Sequence, residues 1–440
     1  MGPAGGRPAP GPATIDRMAG TGDVLLLLPT RSYRTDDFLS AARRLGVGVL
    51  VGSDLCHTVE ERVGAPPGLV SLDYRRPERA AAQIAALAEG HPIRGVVPGD
   101  DGTSVIAALA AERLGLPHNP PAAARRAGHK AESRRALRAA GVPVPRFWTF
   151  PRAGEPDGPA RAVEYPCVLK PVGLSASRGV IRADDPATFA ATWRRIERIL
   201  EKAASERRPG GAAARAELLV EAFVPGAEVA LEGLLRGGRL EVLALFDKPD
   251  PLDGPHFEET LYVTPSRHPP ALQAAVERVA AEAARALGLL EGPVHAELRL
   301  SPQGPVVLEV AARSIGGLCA RTLRFGAGIS LEELLLAHAA GLPIAALRRE
   351  ERAAGVMMLP IPRGGILRGV EGVEAARAVP GVEDLVITVP EGREVEPLPE
   401  GDSYLGFLFA RAATPAEVEE ALRSAHGRLR FDIRAPLPTV

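Results

Sequence analysis

The 440-residue chain is poor in lysine: only Lys130, Lys170, Lys202 and Lys248 occur, against 49 arginines. Asparagine is scarcer still, with Asn119 alone. The three cysteines, Cys56, Cys167 and Cys319, lie far apart and form neither a CxxC pair nor a metal-ligand spacing. That excludes a disulfide scaffold and a thiolate metal site, and leaves structural thiols in a reduced compartment as the expectation. An excess of one charge is also lacking. With 53 basic and 54 acidic residues the net charge is -1, so no overall field attracts nucleic acid or an anionic membrane. The apolar run Val24 to Leu28 is far short of the ~20 residues that cross a bilayer, and nothing before it resembles a secretory h-region. A soluble, cytoplasmic protein with small-molecule partners is expected.

The lysine deficit is informative in itself. A drift to arginine of this strength replaces most exposed lysines, so the survivors mark candidate positions where a compact ammonium is required. Lys202, on a charged helical stretch, carries least weight.

Because one core seldom grows beyond ~250–300 residues, the length suits two or three domains. Residues 1–20 are Gly, Pro and Ala with little else, a composition that buries no core and predicts a disordered tail. Residues 21–121 read as a small parallel α/β domain. An apolar run from Val24, a helix ending at Gly46 and a second run through Val51 form a βαβ unit, and the strand Gly95 to Pro98 leads through the acidic loop Gly99-Asp100-Asp101-Gly102 into an alanine-rich helix. His118-Asn119-Pro120-Pro121 breaks the pattern. Residues 122–344 form a second unit of helices and strands, with a lid at about 145–225. Residues 345–440 form a last α/β unit, which could cover the site or serve a dimer interface.

The sharpest chemical signal is a pair of carboxylates on adjacent strands. In His295-Ala296-Glu297-Leu298-Arg299-Leu300, alternation puts Glu297 on the face opposite Ala296, Leu298 and Leu300. The apolar run Val306 to Val310 includes one carboxylate, Glu309. A carboxylate in a buried strand is costly unless a cation meets it, and a hairpin can bring the two together. Two carboxylates plus phosphate oxygens usually hold Mg²⁺. Arg313 and the Gly316-Gly317 pair follow closely. Upstream, Lys170 is followed by the small, hydroxyl-bearing segment Gly173 to Gly179, with Ser175 and Ser177. This suits a phosphate cradle, yet it is no Walker A motif, because the lysine precedes the glycines.

The order Lys130, Lys170 with its Gly/Ser loop, Glu221-Ala222-Phe223-Val224-Pro225-Gly226-Ala227-Glu228, Glu297, Glu309 and Arg313 resembles the ATP-grasp superfamily, especially its L-amino acid (dipeptide) ligase branch. The resemblance covers about Leu116 to Leu342 and, more weakly, both flanks. It implies an α/β (α+β) ATP-grasp fold with an N-terminal Rossmann-like pre-ATP-grasp domain and a C-terminal α/β subdomain. It implies that Lys130 and Lys170 contact ATP phosphates under the loop Gly173, Ser175, Ser177, Gly179. Glu221, Ala222, Phe223 and Val224 become the adenine hinge, with Glu228 on the ribose, Glu297 and Glu309 on two Mg²⁺ ions (Mn²⁺ as an alternative), and Arg313 on an acyl phosphate, so that Arg313 and Lys170 act catalytically. The loop Phe246 to Glu259 belongs to the substrate pocket, where Glu258 or Glu259 binds an amino group and Lys248 or His256 a carboxylate, beside Gly316 and Gly317. One departure stands out: Ala311 occupies the place of the usual asparagine metal ligand. The implied activity is ATP-dependent carboxylate–amine ligation through an acyl phosphate, with small-molecule acid and amine partners and a homodimer as one assembly. The alternatives are a carboxylase or purine-pathway ligase using bicarbonate or formate, and an ATP-binding protein without turnover.

Overall fold

A computed structural model of the chain describes residues 22–29, 32–54, 68–205, 217–326, 328–344 and 347–435. The expected tail at 1–20 and Cys56 lie outside the described residues.

The N-terminal unit is a four-stranded sheet in the order Leu69–Ser71, Val49–Ser53, Asp23–Leu27, Ile93–Pro98, with every pair parallel. The strand Asp23–Leu27 is an unbroken apolar run because both faces are covered. Val24 and Leu26 pack with Phe38 and Ala41 of the helix Thr35–Leu45 and with Leu334 and Leu335. Leu25 and Leu27 face the opposite way, against Ile84 of Pro77–Ala88 and Ile106 and Ala110 of Asp101–Leu114. The strand Leu69–Ser71 and the helix Pro77–Ala88 are additions to the βαβ pattern predicted above. Asp100 caps the last of these helices in a reciprocal box with Thr103, satisfying backbone donors that the helix leaves open.

At the break after residue 118, Asn119 Oδ1 accepts from the amides of Leu290 (2.6 Å) and Glu291 (2.9 Å), while its Nδ2 donates to the Glu291 carbonyl at 2.8 Å. The chain's sole asparagine therefore mimics a peptide group and pins the junction between units.

The largest sheet has eight strands in the order Gly304–Ala311, Gly292–Ser301, Ala227–Arg236, Arg239–Lys248, Leu261–Thr264, Ala353–Leu359, Gly406–Ala412, Val382–Ile387. Its pairs are antiparallel throughout, so strands from beyond residue 345 continue the sheet begun before it. Alternation sorts its two faces. Val229, Leu231, Val294, Ala296, Leu298 and Val310 pack under the helix Pro270–Leu287 with Val276, Val279 and Ala283, each large buried side chain contributing roughly 1.5–3 kcal/mol. The alternate positions Glu228, Glu232, His295, Glu297 and Arg299 emerge on the other face. A smaller four-stranded sheet, Phe147–Pro151, Glu217–Ala222, Cys167–Pro171, Ile181–Ala183, is backed by Phe189, Trp193 and Ile196 of Pro186–Ser205. A cleft lies between these two sheets.

Candidate active site

Glu297 and Glu309 face one another as register partners across the hairpin. Just beyond them the register slips, with Leu298 opposite Val307. Leu308 is thus the extra residue of a bulge, a device that re-aims side chains beside active sites. Lys130, the first residue of Lys130–Ala139, approaches Glu309 Oε2 at 3.8 Å and donates to the Leu174 carbonyl at 2.8 Å. It links the loop Gly173 to Gly179 to the hairpin.

Lys170 Nζ lies 2.6 Å from Glu221 Oε2. Arg134 closes on the other oxygen of that carboxylate and also donates to the Leu308 carbonyl. Glu221 is 1% exposed. Burial pushes its carboxyl up, but Arg134 and Lys170 outweigh burial and hold it below the usual range. Its side chain is therefore committed to positioning Lys170, while its backbone continues into the hinge. There the amides of Ala222 and Phe223 donate to Arg146 and Pro166 carbonyls (2.8 and 2.9 Å). The Val224 amide has no partner among the described residues, and Val224 lines the cleft.

In the loop Gly173 to Gly179, Ala176 and Ser177 are both left-handed (φ 55° and 54°), a conformation costing about 1–3 kcal/mol per non-glycine residue. At Gly179 (φ 72°) a Cβ would meet Pro171 at 2.7 Å. The loop is fastened from the C-terminal region. Gly179 donates to the Pro399 carbonyl (2.9 Å), Arg178 Nε to the Glu400 carbonyl (2.8 Å), and Arg195 pairs with the Glu400 carboxylate at 2.6 and 3.0 Å.

Across three strands runs a ladder of opposite charges, Lys248 opposite Glu228 and Glu228 opposite Arg299. Such directly opposed pairs stabilise a sheet. Lys248 Nζ lies 2.7 Å from Glu228 and 3.5 Å from Glu297, and closes on Glu259. Only 2% of its side chain is exposed. Burial pulls its ammonium down, but the three carboxylates outweigh it and raise it. Glu259 is pushed up to about 7, mainly by burial. His295, buried between Glu232 (3.2 Å) and Glu297 (3.4 Å), is raised to about 9: burial lowers it, and the hydrogen bonds to the two carboxylates prevail. His295 is the register partner of Ala311, so the usual asparagine place holds a methyl beside an imidazole.

Arg313 meets Asp101 through two contacts of 3.2 Å. Its loop is held from beneath by Glu232, which accepts from the Ile315 amide. Gly317 (φ 57°) leaves space for Phe407, whose ring a Cβ would meet at 2.7 Å, whereas nothing lies within 4 Å at Gly316. His256 pairs with Ile181 and touches Arg195 at 3.3 Å, facing the lid. Glu258 is half-buried, raised by burial, and has no charged partner among the described residues.

The cleft gathers Lys130, Lys170, Leu174 to Ser177, Glu221 to Val224, Glu228, Glu259, Glu297 and Glu309. An all-carboxylate pair in register suits a hard divalent cation, and the ammonium groups and small loop suit phosphate. The set falls short at Ala311, which is buried and brings no donor. Sequence reasoning missed Glu232, though it is a carboxylate in an otherwise apolar stretch, Val229 to Leu235, a signal like the one that singled out Glu309. It also missed Asp101, Arg134 and Arg299, the arginines being hidden among 49.

Three family profiles match the chain: the ATP-grasp N-terminal domain over residues 39–118, the ATP-grasp domain over 163–322 and the L-amino acid ligase C-terminal domain 2 over 357–434. The chain belongs to the ATP-grasp superfamily, in its L-amino acid ligase-like branch. The crystal structure of the L-amino acid ligase of Bacillus licheniformis superposes on this ATP-grasp ligase with a TM-score of 0.78 at 25% identity, covering 94% of this chain and 100% of that one. Carnosine synthase 1 of Gallus gallus is 32% identical over 370 residues, covering 81% of this chain and 39% of the synthase. The chain thus spans about two fifths of that relative's length. The biotin carboxylase domain of Hydrogenobacter thermophilus 2-oxoglutarate carboxylase, solved with MgADP and bicarbonate, shares the fold at 17% identity and a TM-score of 0.65, over 94% of this chain and 92% of that domain. Among the described residues no helix is long and apolar enough to cross a membrane.

Proposed function

We propose that this ATP-grasp ligase joins two amino acids, activating the carboxylate of one with ATP and transferring it to the amine of the other, with release of ADP and phosphate. The observation that carries the reading is the register pairing of Glu297 with Glu309 beside Lys130, Lys170 and the open Val224 amide in one cleft. The amino-acid acceptor is supported by the match of the C-terminal region to the L-amino acid ligase profile.

The adenine would lie against the hinge, with the free Val224 amide as donor and Glu228 near the ribose. Lys130 and Lys170 would neutralise the phosphates, and the loop Gly173 to Gly179 would close over them and exclude water. Mg²⁺, held by Glu297 and Glu309, would supply charge neutralisation and alignment of the phosphate oxygens. The substrate carboxylate attacks the γ-phosphorus as the bond to ADP breaks, and Arg313 meets the charge on the resulting acyl phosphate. The second substrate's amine attacks the acyl carbon, phosphate leaves, and an amide remains. Lys248, enclosed by carboxylates, serves in this reading to hold them rather than to bind substrate. Glu258, without a protein counter-charge, is the group for a substrate ammonium.

Bicarbonate as acceptor is less well supported, since the carboxylase overlap is lower in both TM-score and identity. A cytoplasmic location and a homodimer complete the proposal, the latter open to light scattering. The decisive assay is ADP release over pairs of the common L-amino acids with mass spectrometry of products. Amine-dependent ADP release and a dipeptide mass are expected; release independent of every amine would sink the proposal.

A further inference from the structure

Arg313 sits among several carboxylates. Asp101, Glu309 and Glu297 all raise its guanidinium against the opposing effect of burial. Its ion-pair contacts are to Asp101, which takes Nε through one oxygen at 3.2 Å and a terminal nitrogen through the other at 3.2 Å. This two-point contact fixes both the position and the plane of the fork.

Asp101 is itself well placed. It opens the helix Asp101–Leu114, directly after the capping residue Asp100, and a carboxylate is favoured in the first helical turn. The same helix reaches the Arg313 loop again, as Ser104 Oγ donates to the Ala312 carbonyl at 3.2 Å. A third contact comes from Arg34, also of the N-terminal unit and 4% exposed, which donates to Ser314 Oγ (2.7 Å) and the Ile315 carbonyl (3.3 Å) while paired with Glu332 at 2.9 Å. Residues 312–315 are thus gripped by a unit of which, among the described residues, none lines the cleft itself.

We infer that Asp101 is the positioning residue of Arg313, so that the N-terminal unit sets the geometry of acyl-phosphate formation. This rests on the ligase reading above. Hydroxylamine tests it without knowledge of the natural amine: its nitrogen attacks the acyl carbon, phosphate leaves, and a hydroxamate accumulates. With ATP, hydroxylamine and each common L-amino acid in turn, Asp101→Asn should lower the kcat of hydroxamate formation by roughly 10–100-fold. The KM for ATP should stay within about twofold, the sign of an interaction felt in the reaction rather than in nucleotide binding. Asp101→Glu, which keeps the charge, should recover part of the rate. In an Arg313→Lys background Asp101→Asn should add little, because residues acting through one contact are not additive. Melting temperatures of all variants report folding separately. A full further loss in the Arg313→Lys background, or an ATP KM rising in step with the loss of kcat, overturns the inference. A wild-type rate in Asp101→Asn overturns it alone, whereas a wild-type protein that forms no hydroxamate with any amino acid overturns the ligase reading along with it.

Discussion

Lys170 and Lys248 are both lysines paired with glutamate, yet their surroundings assign them different work. Lys170 shares one carboxylate, Glu221, with Arg134, and 13% of its side chain remains exposed toward the cleft. Two cations on one anion leave positive charge to spare for a phosphate. Lys248 is one cation among Glu228, Glu259 and Glu297, with 2% exposed. Arg299 on Glu228 and His295 between Glu232 and Glu297 add two cations, yet the carboxylates Glu228, Glu232, Glu259 and Glu297 still outnumber the cations, and the ammonium is consumed in holding them together. The sign of the local surplus, rather than the lysine itself, decides whether such a residue is offered to a ligand.

The largest effect should come from breaking the two sites in parallel. Lys248→Met removes the buried cation shared by the buried Glu228 and the partly exposed Glu259 and Glu297, and removing one partner of a buried ionic cluster costs about 3–5 kcal/mol. Lys170→Met leaves Glu221 still paired with Arg134, so its loss of stability should be clearly smaller, while kcat/KM for ATP should drop by roughly 10²–10³-fold. Urea midpoints and ADP release would measure both, and equal destabilisation by the two changes would break the contrast.

A smaller effect concerns the surplus-negative side. His295 is raised from 6.5 to about 9. Its pairing contributes in full below pH 6.5 and is lost as pH rises toward 9, because the unfolded chain gives up the proton first. Glu259, raised from 4.5 to about 7, acts in the same direction, since the folded chain holds its proton more tightly as pH rises from 4.5 to 7. Stability of the nucleotide- and metal-free protein should therefore decline across both windows. His295→Gln should flatten the upper one and Glu259→Gln the lower one. An upper window unchanged in His295→Gln would remove that histidine from the account.

The smallest effect is expected at the fastening of the lid. Arg195 and Glu400 are partly exposed (37% and 29% of their side chains), so Glu400→Gln should cost only about 0.2–1 kcal/mol. It should nonetheless speed hydrogen exchange of residues 173–179 while leaving exchange around Lys248 unchanged. Equal acceleration at both places would show that the two regions open as one.

The hairpin illustrates what was legible and why. Glu297 and Glu309 stood out because a lone carboxylate in an apolar strand has few explanations, and alternation fixes its face. Lys130 and Lys170 stood out because arginine has replaced lysine almost everywhere else. His256 was less legible: sequence proximity grouped it with Lys248, but the chain turns between them and leaves it against Arg195 of the lid. Asp101 lies more than 200 positions before Arg313, and no local pattern announces that pair. The split between Glu221's backbone, which leads into the hinge, and its side chain, which holds Lys170, likewise depends on Arg134 arriving from another element.

The sequence by itself determined the α/β class, the two strands of the Glu297–Glu309 hairpin and the order of the cationic and acidic motifs. These follow from periodicity, from turn chemistry and from the cost of burying a charge, all of which act over a few residues. Only the tertiary structure decided which charge meets which. It enclosed Lys248, left Lys170 open, gave Arg313 to Asp101 and set His295 opposite Ala311. Electrostatic partnership depends on distances of 3–4 Å between residues far apart in the chain, and folding alone sets those distances.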